Sequence, residues 1–392
     1  MIGSLVLTNF KPFQNQPLTF RPLTLLSGLN STGKSSVLQA LLLLRQSYQK
    51  GFLSEKGLVL NGDLINIGTA KDAIFEGASK QEQLVFEILW KNGTKGVWKF
   101  KYEEYTENKQ EDIGTNFLTL ASAPVDDNVY QSSLFNQEFH YIEAERIGPR
   151  SFNKISYEKV QIGRTLGDKC EYTVNFLAVN ANTPISHSQL SHPNVKSSRR
   201  QFDDPEIPSL ALIDQVEAWM GEISPGTRIN IKSNLDMDLI NIQYFYGDNN
   251  FYRATNVGFG ITYTLPIIVA ILASEPDTLI LVENPEAHLH PRGQAKMGEL
   301  LALAASCGVQ VVIETHSDHV LNGIRLAVHG GKLNPEDVQL HYFQRQEKQG
   351  QALFTEVISP KIDRNGRIDY WPDGFFDEWE KDLITLLKPR DV

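Results

Sequence analysis

An α/β fold, in which a mostly parallel sheet is covered by helices on both faces, is predicted by three observations. Continuous apolar strands alternate with helical patterns from about residue 210 to residue 317, the signature of a parallel sheet buried on both sides. A strand, a glycine loop and a helix follow one another without a break between residues 23 and 49. Short apolar runs separated by glycines fill residues 58–105, which adds an antiparallel region. A chain of 392 residues accommodates one large α/β unit or two modest domains, each with a sizeable core.

In chain order, residues 2–27 read as two short strands broken at Lys11-Pro12 and Gln16-Pro17, then a third running into Gly28. Ser35–Gln49 is apolar almost all round and lacks Gly and Pro, so it reads as a buried helix. Residues 106–138 and 180–209 are polar and read as loops or an insertion. No heptad pattern is sustained between residues 50 and 250, so no long coiled coil is expected. Beyond 210 come a helix over 210–223, strands over 227–233 and 239–247, and a helix over 260–274. A strand over 278–283, a helix over 293–306 and a strand over 309–316 follow. Residues 361–392 read as a turn and an amphipathic helix crowded with aromatics and acids: Tyr370, Trp371, Phe375, Phe376 and Trp379 beside Asp373, Asp377 and Glu378. This divides the chain into an amino-terminal lobe (1–105), an insertion or lid (106–250), a carboxy-terminal lobe (251–345) and an accessory segment (346–392).

Composition narrows the function classes. Lys and Arg total 37 against 47 Asp and Glu, a net charge of −10, so no overall field holds the chain to nucleic acid. DNA contact is left to a local basic patch, with Lys196, Arg199 and Arg200 as candidates. The cysteines, Cys170 and Cys307, stand apart without a CxxC pair, which argues against a disulfide framework or a zinc site. The amino terminus lacks the pattern of a leader, and the longest apolar run, Leu265–Ala273, contains Pro266 and is half a membrane span. The expectation is a soluble cytoplasmic protein without membrane contact.

The chemistry concentrates in three places. Gly28-Leu29-Asn30-Ser31-Thr32-Gly33-Lys34-Ser35 fits G-x-x-x-x-G-K-[ST], a phosphate-binding loop in the right context between an apolar strand and a helix. Its glycines let backbone N–H groups face phosphate oxygens at a helix N-terminus, Lys34 reaches the β- and γ-phosphates, and the Ser35 hydroxyl ligates Mg²⁺. Lys34 is expected to be an exposed loop residue. Thr278–Glu283 is an apolar strand ending in an acid, the form of a Walker B strand, and Glu283 becomes the second metal ligand. Asn284-Pro285-Glu286-Ala287-His288-Leu289-His290-Pro291 follows; Mg²⁺ prefers oxygen, so a nucleotide site explains this cluster better than a transition metal. The third strand ends in Glu314-Thr315-His316-Ser317, where His316 stands ready to sense the γ-phosphate or orient water.

Together these motifs resemble the ABC-type AAA ATPases of the RecF, SMC and OLD kind, in particular compact prokaryotic members with a short carboxy-terminal domain of unknown function. Leu7-Thr8-Asn9-Phe10-Lys11 resembles the family's opening strand, GLNSTGKSS (through Ser36) its Walker A loop, ENPEAHLHP its Walker B and D-loop, and THSDHVL its switch-histidine segment. The resemblance implies the P-loop fold of an ABC-ATPase head, and it makes Asn256-Val257-Gly258-Phe259-Gly260 the signature that meets a nucleotide on the opposite subunit. It thus assigns ATP and Mg²⁺ to Gly28, Asn30, Ser31, Thr32, Gly33, Lys34, Ser35 and Ser36, with Asn256, Gly258 and Gly260 acting from the partner. Glu283, Glu286 and His316 become the catalytic candidates.

One departure is visible: where the family has Asp then Glu, this chain has Glu283 then Asn284, and an amide takes no proton. Glu283 acting twice through water, a repositioned Glu286, and slow turnover all accommodate it. Gln46, Gln81 and Gln83 lack the context of a Q-loop, and Phe139–Arg150, a strand with two arginines after it, serves either that region or a surface turn. The function implied is a head-to-tail dimeric ATP switch in DNA repair or anti-phage and mobile-element defence, controlling a separate effector such as a nuclease. Residues 331–392 lack the Asp-x-Asp of a Toprim nuclease. The alternatives are a non-hydrolysing nucleotide-binding scaffold and a transporter-type ATPase subunit, whose Ser-Gly-Gly-Gln signature is missing.

Overall fold

The computed structural model describes residues 1–79, 81–101, 116–195, 209–246, 250–346 and 354–388. Lys196, Arg199 and Arg200 lie outside the described residues. The chain forms two compact units, one made of 1–136, 338–363 and 368–392, the other of 137–337 and 364–367. These units cut across the four segments expected from sequence.

In the first unit, β1 (Ile2–Phe10) and β2 (Phe13–Thr19) form a hairpin, and β3 (Leu23–Gly28) leads through the glycine loop into α1 (Lys34–Gln49). After β4 (Gly57–Val59) and the short α2 (Ala70–Ala73) come β5 (Leu84–Trp90), β6 (Lys95–Lys101) and β7 (Phe117–Ser122). Strands β2-β1-β5-β6-β7-β4 make one antiparallel sheet. Period-two burial in β5 and β6 sends Phe86, Ile88, Trp98 and Phe100 inward, and the rings of Phe10, Phe86 and Phe100 meet edge to face. The antiparallel region is therefore present as expected. It also takes in β7, the short FLTLAS run inside a longer stretch whose polarity reads as loop, paired on both edges. Helix α1 is buried along most of its length. Gln46, on that helix, donates to the Val59 carbonyl and accepts from the Ile65 amide, a structural use of its amide.

The second unit carries a three-stranded parallel strip. Its strands are β8 (Phe139–Ile142), β13 (Leu279–Glu283) and β14 (Gln310–Glu314), with β13 central. Between them the chain forms β9 (Asn153–Lys154), α3 (Thr173–Val179), α4 (Leu212–Ile223), β10 (Thr227–Asn234), β11 (Leu239–Tyr246), β12 (Tyr252–Arg253) and α5 (Phe259–Ala273). β9 to β12 pair antiparallel around β11. Leu279–Val282 and Ile267–Leu272 are fully buried, so β13 and α5 form the centre of this core. Helices α6 (Pro291–Ser306) and α7 (Asp318–His329) flank β14 in sequence.

The chain then returns to the first unit as β15 (Val338–Gln346), which pairs parallel with β3, and β16 (Phe354–Ile358), antiparallel to β15. It ends in α8 (Glu378–Leu386). The tail aromatics divide: Phe375 is fully buried against Tyr342, whereas Trp379 is 73% exposed on α8. No helix among the described residues exceeds 16 residues, and none is long and apolar enough to cross a membrane.

Candidate nucleotide site

The phosphate loop takes its shape from backbone. Gly28 has φ +141°, and a Cβ there would lie 2.2 Å from the carbonyl oxygen of Phe343 on β15, so only glycine fits. Gly33, the residue before α1, has φ +103°, and a Cβ would meet Pro12 at 2.7 Å and Phe13 at 2.8 Å. With the chain turned this way, α1 starts directly from the loop, the Ser36 amide donating back to the Gly33 carbonyl at 3.1 Å, and no acid stands in the first turn to oppose an anion. Thr32 Oγ1 donates to the Leu29 carbonyl at 2.7 Å, and Thr355 Oγ1 on β16 donates to the Thr32 carbonyl at 3.0 Å.

Lys34 departs from expectation. Its side chain is buried at 4% exposure, and Nζ donates to the carbonyls of Gly28 (2.9 Å) and Leu29 (2.7 Å), because the loop curls over the ammonium. A cavity of about 650 Å³ opens beside the loop, its walls including Lys11, Lys34, Phe75, Asp72, Arg345 and Phe354. Lys11 Nζ donates to Gln39 at 2.6 Å; burial lowers its pKa and nearby Asp72 partly offsets that. Three cations, a helix N-terminus and the Ser35 hydroxyl in one cavity are the donor set of a polyphosphate with a hard cation, so the residues present fit ATP and Mg²⁺. Asn30 and Ser31 are exposed on the loop, Ser31 lining the cavity, and Ser36, in the first turn of α1, lines it too.

The second unit gathers the other candidates. Glu283 ends β13 with both oxygens engaged: Oε1 accepts from Tyr141 Oη at 2.9 Å and Oε2 from the Ala144 amide at 3.3 Å. Burial raises its pKa, opposed by these two donors and, more weakly, by Arg146. The Tyr141 hydroxyl is pushed up by burial and by Glu283 beside it. Arg146 is 2% exposed and donates to the carbonyls of Glu143 (3.0 Å), Glu283 (2.7 Å) and Asn284 (2.8 Å). Asn284 adopts φ +46°, a left-handed conformation that asparagine tolerates.

Glu286 accepts from Thr315 Oγ1 at 2.7 Å and from the His316 amide at 2.9 Å, tying the turn after β13 to the turn after β14. The His316 ring itself is exposed at that strand's carboxyl end. His288 packs edge-on against Tyr263, ring centres 4.7 Å apart, and His290 caps α6 by accepting from the Arg292 amide. Both imidazoles serve packing and capping, and no group of three or more His, Cys, Asp or Glu among the described residues is arranged to hold a metal.

Asn256 closes the short turn before α5, and Gly258 is the residue from which α5 starts, with open space where a Cβ would project. Gly260 differs, since a Cβ there would lie 2.6 Å from the His288 carbonyl oxygen. Its glycine is thus explained within one chain. Sequence reasoning missed Tyr141 and Arg146. The signal was present in FHYI followed by AER, a strand that pairs beside β13 and ends in a basic turn.

A P-loop between β3 and α1, and an acid-ended strand in a parallel strip preceded by a glycine-opened helix, define a P-loop ATPase of the ABC type. Residues 23–322 match the family described as "AAA domain, putative AbiEii toxin, Type IV TA system". The chain belongs to that AAA-domain family. Residues 333–386 match a second family, "Protein of unknown function (DUF3696)".

Among solved structures the chain is similar to an SMC head bound to the C-winged helix domain of ScpA, at 12% identity and a TM-score of 0.49 over 92% of this chain and 98% of that one. It is similar also to the SMC head domain from Thermotoga maritima, at 12% identity and a TM-score of 0.45 over 92% and 99%. The third is an SMC head with an extended coiled coil bound to the C-terminal domain of ScpA, derived from Pyrococcus furiosus, at 11% identity and a TM-score of 0.43 over 99% of each chain. A comparison with curated proteins finds no significant match.

Proposed function

We propose that this chain binds ATP with Mg²⁺ and hydrolyses it as a nucleotide-gated dimeric switch. The observation that carries the reading is the phosphate loop, where Gly28 and Gly33 admit no side chain and Lys34, Ser35 and Ser36 at the start of α1 line one cavity. Lys34 sets its charge against the β- and γ-phosphates; Ser35 and Glu283 are the residues that would hold the cation, which would supply screening of phosphate charge there. Glu283 also takes the place of the base that Asn284 cannot supply, since burial makes its carboxylate more basic, while Glu286 is committed to Thr315 and His316. His316 orients water or senses the γ-phosphate. Asn256 and Gly258 act on the nucleotide of a second copy, from a helix start that leaves room for a close-approaching phosphate.

The biological role proposed is control of a separate effector, such as a nuclease, in cytoplasmic DNA repair or anti-phage and mobile-element defence, in keeping with a family described by a toxin–antitoxin system. Trp379, Leu383, Leu386 and Leu387 are exposed on or just after α8 and offer that effector an apolar contact, with acids alongside that repel DNA.

Phosphate release from purified protein tests the reading. Activity that Lys34→Ala removes, together with at least a hundredfold loss of ATP affinity in calorimetry, is expected, since Lys34 is the charge in the cradle. Mixing Lys34→Ala with Gly258→Arg, each inactive alone, should restore about one working site per mixed dimer. ATP binding without any phosphate release instead supports the scaffold reading that Asn284 favours.

A further inference from the structure

We propose that Arg146 is a positioning residue through which the first turn of α5 sets the orientation of Glu283. The inference rests on the reading of Glu283 as the hydrolytic carboxylate and adds how that carboxylate is controlled.

The contacts form an unbroken series. The Arg146 fork grips the carbonyls of Glu283 and Asn284, so it holds the backbone on both sides of the bond that joins them. A guanidinium spans two acceptors in a fixed plane, which an ammonium does not. On its other side Arg146 lies over the Tyr263 ring, 5.3 Å from its centre. Tyr263 sits on α5, just beyond Gly258 and Gly260, and packs against His288 at 4.7 Å; Phe259 packs against the same imidazole at 5.5 Å. Gly260 brings the α5 backbone against the His288 carbonyl. The start of α5 is therefore wedged onto the 284–288 turn from one side, while Arg146 anchors that turn from the other.

A packed interior repacks between discrete arrangements and does not stretch. A shift of α5 when an anion is drawn to its N-terminus must slide Tyr263 along Arg146, His288 or both. Arg146 carries no bond to the Glu283 carboxylate that the structure shows; it acts on the main chain from which that carboxylate projects.

Two readouts test this, one of them without nucleotide. Backbone amide exchange at Asn284, Ala287 and Leu289, which donate to Glu314, Asn284 and Glu286, reports the turn directly. Tyr263→Leu should speed that exchange about tenfold with the rest of the unit unchanged, and Tyr263→Phe, which keeps the ring over the guanidinium, should retain the wild-type exchange. Arg146→Lys should speed it at least as much. In phosphate release both Tyr263→Leu and Arg146→Lys should lower kcat about tenfold while KM stays within about twofold, and the double variant should be no slower than Arg146→Lys alone. Unchanged exchange in Tyr263→Leu, or multiplicative losses in the double variant, overturns the proposal. A wild-type chain that releases no phosphate overturns the proposed function and leaves the exchange result to judge this inference.

Discussion

In the phosphate loop the atoms that fix the shape are backbone, held apart by positions where no side chain fits; in the turn after β13 they are two side chains and an amide brought from the distant 141–146 segment. Gly28 and Gly33 exclude a Cβ through neighbours on β15 and the β1–β2 hairpin, while Glu283 is held by Tyr141, Ala144 and Arg146. The first construction is unforgiving at two positions and permissive at exposed ones such as Asn30. The second distributes its geometry over several groups, each of which can be tuned. On the proposed function, the former suits a cradle for a polyphosphate and the latter a carboxylate set by its neighbours.

The sharpest way to break the comparison is Gly28→Ala. A methyl group 2.2 Å from a carbonyl oxygen, at φ +141°, should cost at least about 3 kcal/mol and unfold the first unit, seen as a lowered denaturant midpoint. Asn30→Ala should change the unfolding free energy by no more than about 0.5 kcal/mol. Equal losses from the two would show that backbone exclusion does not define the loop.

Next in size, Glu283→Gln should retain ATP binding and slow phosphate release on the order of a hundredfold, trapping the nucleotide-bound state. Glu286→Gln should slow it less and should loosen the turn that carries His316, because an amide satisfies only one of its two donors well. Steady-state rates decide, and a greater loss from Glu286→Gln would move the catalytic role to it.

The smallest effect is a pH dependence confined to the first unit. His341 on β15 is buried as neutral imidazole, Nε2 donating to the Thr19 carbonyl and Nδ1 accepting from Ser359, and burial pushes its pKa down to about 4. The unfolded chain binds a proton there near pH 6.5 and the folded chain does not, so this contribution is full above that pH and falls away as pH drops toward 4. Between pH 7 and pH 5 the loss is about 2 kcal/mol. Urea titrations at both pH values should show a smaller difference in His341→Gln, and an unchanged one would remove His341 from the account.

What was legible in the sequence follows the same division. The strand–loop–helix of residues 23–49 announces itself through local pattern, as do the apolar strand ending at Glu283 and the helix opened by Gly258. Tyr141 and Arg146 were legible only as part of a strand with a basic end, because a tyrosine and an arginine acquire a role only when β8 is paired beside β13. Burial of Lys34 was likewise hidden, since it depends on how the loop curls and not on what it contains. β7 was missed because its six residues, FLTLAS, sit inside a longer polar stretch and gain their strand partners from distant segments.

The pairing of β15 with β3, Val338 beside Leu23, bears on the order in which the chain is made. At ordinary ribosomal rates the carboxy-terminal strands emerge on the order of half a minute after the P-loop strand they flank. Arg345, Phe354 and Thr355, which line the cavity, arrive with them. A nascent or truncated product ending near residue 337 would display the glycine loop without the wall that completes its cavity. The wall of that cavity is thus contributed by a segment made more than 300 residues after the loop it completes.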